Sequence, residues 1–124
     1  MPKPFNVQVT REPAGGVSVL QLEGFVDAHT AADFERAIQE EVDAAQVKLI
    51  VDGAGLTYIS SAGLGVFMGF IEEVRDRGGD IKICSLIPKV RQVFELLGFH
   101  KVYEILDDRD AALRRFTEAG SREV

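Results

Sequence analysis

Val47-Lys48-Leu49-Ile50-Val51-Asp52 is a short run of branched and apolar residues, the pattern of a strand covered on both faces of a sheet. It leads through Gly53-Ala54-Gly55 and an expected loop from Leu56 to Ser60 into Leu64, Phe67, Met68, Ile71 and Val74. Those five apolar residues have the i, i+3, i+4, i+7 spacing of an amphipathic helix, and Gly78-Gly79 ends it. A buried strand followed by a helix is the repeating unit of an α/β sheet.

The same reading extends outward in both directions. Upstream, Val7-Gln8-Val9 and Val17-Ser18-Val19-Leu20-Gln21-Leu22 alternate about the breaker Ala14-Gly15-Gly16, which predicts a β-hairpin ending at Gly24. Thr30, three residues before Asp33, forms a short-armed variant of the capping box and opens a helix carrying Phe34, Ile38, Val42 and Ala45. Downstream, Ile81-Lys82-Ile83-Cys84 is a strand, and Pro88 opens a helix with Val90, Val93, Phe94 and Leu97 facing inward and Gly98 as its stop. A short strand at Val102-Tyr103-Glu104 then precedes Asp107-Asp108, the cap of a last helix bearing Ala112, Leu113 and Phe116. The order ββαβαβαβα places the chain in the α/β class, with one mixed sheet of about five strands flanked by about four helices. A single domain over residues 1–124 is expected, with its core at about 5–117 and a frayed tail at 118–124.

Composition narrows what such a domain can do. The 124 residues suffice for one core, and 46% apolar with 27% charged residues is ordinary for a globular chain. Fourteen basic and twenty acidic side chains give a net charge of −6, which argues against nucleic acid or a polybasic membrane anchor as partner. Residues 1–62 hold four basic and nine acidic side chains, against ten and eleven in 63–124. The acidity therefore belongs mostly to the first half. One cysteine, Cys84, allows neither an intramolecular disulfide nor a cysteine zinc framework, and inside an apolar strand it reads as a small buried side chain. Met1-Pro2-Lys3-Pro4-Phe5 lacks the apolar region of a signal peptide, and Leu64 to Ile71 is too short to span a bilayer, so a soluble cytoplasmic protein is expected.

Chemistry in open α/β sheets gathers where a strand's carboxyl end meets a helix amino terminus. Here that junction runs from Asp52 to Gly65 and includes Ser60-Ser61-Ala62-Gly63-Leu64-Gly65. Two hydroxyls at a helix amino terminus lie where free N–H groups and the macrodipole favour negative charge; on the residues alone, either serine could equally be a plain N-cap. Enzyme motifs fail on spacing. Gly65 is followed by Val66 where a Walker A loop needs Lys, Met68 stands at the third glycine of a dinucleotide fingerprint, and Ile59 stands two before Ser61 where a nucleophile elbow needs glycine. His29 and His100 read as surface loop residues, and neither a metal site nor a cofactor is expected.

Tyr58-Ile59-Ser60-Ser61-Ala62-Gly63-Leu64-Gly65 resembles the phosphorylation loop of the anti-sigma factor antagonists, the single-domain form of the STAS domain. Gly24-Phe25-Val26-Asp27 with Thr30 is similar to that family's Gly-x-hydrophobic-Asp turn, Asp52 occupies its polar position closing the third strand, and Val90, Phe94, Leu97 and Gly98 resemble its penultimate helix. The resemblance implies a non-enzymatic protein whose unphosphorylated form binds an anti-sigma factor that is also a serine kinase, so freeing the sigma factor. It further implies phosphorylation of Ser61 as the off-switch and a serine phosphatase that restores the active form. Ser60 stands where relatives often carry Asp, and Ala62 where they often carry a second hydroxyl. Gly53 and Gly55 replace bulkier residues and predict a more mobile loop. The alternatives are a STAS scaffold or adaptor in another kinase-linked assembly and, from a different class, a small α/β hydrolase.

The expected partner surface comprises Asp27, Thr30, Ser60, Ala62, Gly63, Gly65, Val66 and Gly69. Asp27 is assigned to this surface, with a turn carboxylate bonding its own backbone as the competing reading. Ala62, Gly65, Val66 and Gly69 fall opposite the expected core stripe at 100° per residue, making a smooth patch that another backbone could approach closely, with packing of the glycines against a neighbouring helix of the same domain as the competing reading.

Overall fold

The computed structural model describes residues 4–122 and has the expected element order. Strands β1 (Asn6–Glu12) and β2 (Val17–Val26) form the antiparallel hairpin, joined through Gly15 and Gly16 at φ 84° and 65°. Helix α1 (Ala31–Asp43), strand β3 (Lys48–Ile59), helix α2 (Ser61–Asp76), strand β4 (Asp80–Cys84), helix α3 (Pro88–Leu96), strand β5 (Ile105–Leu106) and helix α4 (Arg109–Arg122) follow. The five strands lie in the order β1-β2-β3-β4-β5, with β2 through β5 parallel.

Alternation along the strands builds two cores. Leu20, Leu22, Leu49, Val51, Ile81 and Ile83 face α1, α2 and α3, whereas Val17, Val19, Ile50 and Cys84 face α4 through Ala112 and Phe116. The larger core is organised on Phe67, whose ring meets Phe34, Phe94 and Tyr103 edge-on at 5.2, 5.7 and 5.8 Å. Full burial of one such ring stabilises the fold by roughly 1.5–3 kcal/mol. Cys84 is buried as expected, and burial pushes its thiol up to about 11. Buried charges are paired. Glu41 accepts from Arg11 (3.0 and 3.2 Å) and from the Ser18 hydroxyl (2.7 Å), and Lys82 lies between Glu104 (2.7 Å) and Asp80 (3.2 Å). Each buried ion thus has the partners without which burial would be prohibitive.

Several local expectations are corrected. β2 continues past Gly24 to Val26, because Gly24 takes φ 87° without leaving the ladder. The expected loop from Leu56 to Ser60 is strand as far as Ile59, held by pairing with β2. Ala45 lies beyond α1 at φ 63°, and Leu97, expected inward, is 57% exposed just past α3. The strand expected at 102–104 is displaced to Ile105–Leu106 by a 3-10 turn over Phe99–Lys101. Residues 118–122 of the expected frayed tail belong to α4, while 123–124 lie outside the described residues. Among the described residues, no helix is long and apolar enough to cross a membrane.

Candidate functional site

The site is carried on an arm that projects past the common sheet. The β3–β4 ladder ends at Asp52 opposite Cys84, but β3 continues to Ile59 paired with β2. Two register shifts occur in that extension, one between Gln21 and Glu23 and one between Gly24 and Phe25. Each leaves an extra residue on β3, two residues opposing one as in a bulge. The second shift lets Thr57 and Tyr58 both face solvent between buried Leu56 and Ile59. Thr57 donates its hydroxyl to the Gly24 carbonyl at 3.0 Å, which fixes the bulge.

Close packing explains the two glycines here, rather than the mobile loop expected from them. A Cβ on Gly55 would lie 2.9 Å from the Leu22 carbonyl oxygen, and one on Gly53 would lie 2.6 Å from Leu86 Cδ2. Both positions sit inside a paired strand.

The arm ends in the two serines, and the structure separates them. Ser60 is the N-cap residue of α2 by position: its N–H donates to the Val26 carbonyl (2.8 Å) and its carbonyl accepts from Leu64 (3.0 Å). Its hydroxyl makes no capping bond, and Ser60 Oγ is buried with no hydrogen-bond partner among the described residues. Ser61, the first residue of α2, is exposed. Of the two hydroxyls, only that of Ser61 belongs to a solvent-exposed residue at the positive end of the helix dipole.

On α2, Ala62, Gly65 and Gly69 are exposed as expected, whereas Val66 (7% exposed) and Gly63 are buried. The helix is seated on Gly63, Leu64, Val66, Phe67, Phe70 and Val74. This turns Met68, expected in the core, outward at 61% exposure. Gly63 is where α2 meets the arm, since a Cβ there would lie 2.6 Å from Val26 Cγ1 and 2.7 Å from Ile59 Cγ1. Ser61, Gly65, Met68 and Leu97 line one open groove with Leu64 and Phe99, about 480 Å³ in volume. Met68, Tyr58 and Leu97 are thus exposed apolar residues that the sequence reading missed or placed inward.

Asp27 follows Val26, whose pairing with Ile59 and bond from the Ser60 N–H bring the Asp27 turn next to Ser60. Its carboxylate accepts from the N–H groups of His29 (2.8 Å) and Thr30 (3.1 Å), the competing turn-carboxylate reading. The His29 hydrogen bond chiefly, with Thr30 assisting and desolvation opposing, holds this carboxyl below its ordinary value. Thr30 is not a side-chain cap: its hydroxyl donates to the Phe25 carbonyl (3.0 Å) and accepts from the Asp27 N–H (2.9 Å). It is committed to the turn and only partly accessible. His29 and His100 are exposed, and among the described residues neither imidazole is hydrogen-bonded to a serine.

Residues 8–112 match the STAS domain. The BtrV protein of Bordetella bronchiseptica is 32% identical over 113 residues, covering 91% of this chain and 97% of that protein. An anti-sigma F factor antagonist of Paenibacillus polymyxa is 28% identical over 110 residues, covering 88% and 94% respectively. Among solved structures, an anti-sigma factor antagonist from Mycobacterium paratuberculosis superposes with a TM-score of 0.81 at 25% identity, over 94% of this chain and 99% of that one.

Proposed function

This chain belongs to the STAS domain family, and from that premise we propose that it is an anti-sigma factor antagonist of the cytoplasm, a binding protein rather than an enzyme. Its unphosphorylated form binds an anti-sigma factor that is also a serine kinase, and the sigma factor is released. The kinase phosphorylates Ser61, which ends the interaction, and a serine phosphatase resets the switch. The observation that carries this reading is the division of labour between the two serines. Ser61 is exposed on the first turn of α2, while the Ser60 hydroxyl is buried.

The physics of the switch follows from that position. A phosphate adds about −1.5 to −2 charges, and free N–H groups at a helix amino terminus accommodate such a group. The core need not rearrange. What changes is the outward field of a surface that already includes Asp27 on a chain of net charge −6. A partner docked against a neutral hydroxyl and the exposed Ala62, Gly65 and Gly69 would then meet a hydrated dianion.

Incubation with the purified kinase and ATP should add one phosphate, mapped to Ser61. Ser61→Ala should accept none and Ser60→Ala should remain a substrate. Phosphate on Ser60, with Ser61→Ala still modified, would overturn the assignment.

A further inference from the structure

We infer that Arg109, on the α4 side of the sheet, is a positioning residue for Ser61. The inference rests on Ser61 as the phosphoacceptor but concerns a different part of the molecule. Arg109 donates from Nε and Nη2 to Asp52 Oδ2 at 3.2 and 3.0 Å, and from Nη2 to Gln21 Oε1 at 3.4 Å. Gln21 and Asp52 face each other as the last register pair before the first shift. Asp52 is also the last β3 residue paired with β4. The guanidinium fork therefore staples β2 to β3 where the arm leaves the sheet.

Asp52 carries the constraint onward. Its second oxygen, Oδ1, accepts from the N–H of Ala54 at 3.0 Å, inside the bulge. The path runs from Arg109 through Asp52 to Ala54, then along the β2-paired strand to Ile59 and Ser61. Asp52 is 5% exposed, so both bonds act where water competes poorly. Simple docking of α4 does not require this arrangement, because Ala112, Leu113 and Phe116 already pack that helix on the sheet.

Amide hydrogen exchange on the full chain tests this without a partner. Arg109→Gln should speed exchange at Ala54 and Ser60 by about tenfold, reflecting local opening of the arm. Arg109→Lys keeps the charge that Asp52 needs but not the fork, so it remains a folded test if Arg109→Gln proves insoluble; it should show the same change. Leu113→Ala, which loosens α4 while leaving the Arg109 bonds intact, is the control and should leave Ala54 and Ser60 as in the parent. With the purified kinase, the Arg109 variants should transfer phosphate to Ser61 with a lower kcat, and Leu113→Ala should not.

Unchanged exchange at Ala54 and Ser60 in both Arg109 variants would overturn the inference, as would an equal effect of Leu113→Ala. Absence of phosphate on Ser61 in the parent would overturn the acceptor assignment, and this role with it. A phosphorylated parent matched in rate by the Arg109 variants would overturn this role alone.

Discussion

Replacing Gly63, Gly65 and Gly69 by alanine, one at a time, makes the same chemical change at three points of α2 and should give opposite signs. Alanine is favoured over glycine in a helix interior by about 1 kcal/mol. At Gly65 and Gly69 an added Cβ meets nothing within 4 Å, so the whole gain should appear. For a chain of this length that corresponds to roughly 3–5 °C in Tm for each substitution. At Gly63 the Cβ would lie 2.6 Å from Val26 Cγ1 and 2.7 Å from Ile59 Cγ1. Both neighbours are buried, at 0% and 4% exposure, and have little room to yield. Overpacking of that kind costs roughly 1–3 kcal/mol, which outweighs the helix term and leaves a net loss of up to about 2 kcal/mol. Urea unfolding followed by circular dichroism reads the change as a shift of midpoint at constant slope. If Gly63→Ala stabilised the protein as much as Gly65→Ala, α2 could not be seated on the arm as described.

Three other outcomes are expected. Gly69→Arg should remain folded and lose kinase binding in a pull-down, and normal binding would remove this face of α2 from the interface. Glu41 is pushed up by burial, but its bonds to Arg11 and Ser18 and the Arg11 charge outweigh that and hold it below its ordinary 4.5. Its contribution to stability is therefore present above that pH and lost as pH falls through the lowered value, so Glu41→Gln should flatten the acid limb of a pH–stability curve; an unchanged limb would contradict the pairing. Tyr103→Phe removes a buried hydroxyl that has no partner among the described residues and should raise stability by roughly 1 kcal/mol, whereas a loss would reveal a partner.

The strand and helix order was legible because it rests on burial periodicity, which β2, β3 and β4 express strongly. Where the reading failed, local chemistry was ambiguous. In Leu64-Gly65-Val66-Phe67-Met68-Gly69-Phe70-Ile71 apolar residues lie all round the helix, so two stripes satisfy the same spacing. Contact with Val26 and Ile59 at Gly63 seats α2 on Val66 and Phe70 and turns Met68 out. Pairing with β2 makes residues 56–59 strand where a loop is expected, and Gly53 and Gly55, whose composition suggests mobility, instead serve close approach to Leu86 and Leu22. Thr30 has the composition of a cap, yet its hydroxyl is taken by Phe25 and Asp27. Ser60 and Ser61 are chemically identical, and only the seating of α2 buries one hydroxyl and exposes the other residue. Arg109 lies far from Asp52 in sequence, so no local pattern joins them.

Phosphorylation of Ser61 as the switch that ends partner binding is tested most directly by titrating the purified anti-sigma factor kinase with this chain, before and after stoichiometric modification of Ser61, with Tm recorded for both forms. The account predicts tight binding of the unmodified protein, at least about tenfold weaker binding of the phosphorylated one, and nearly equal Tm values. Equal affinity of the two forms, or a phosphorylated form that melts far below the other, would contradict it.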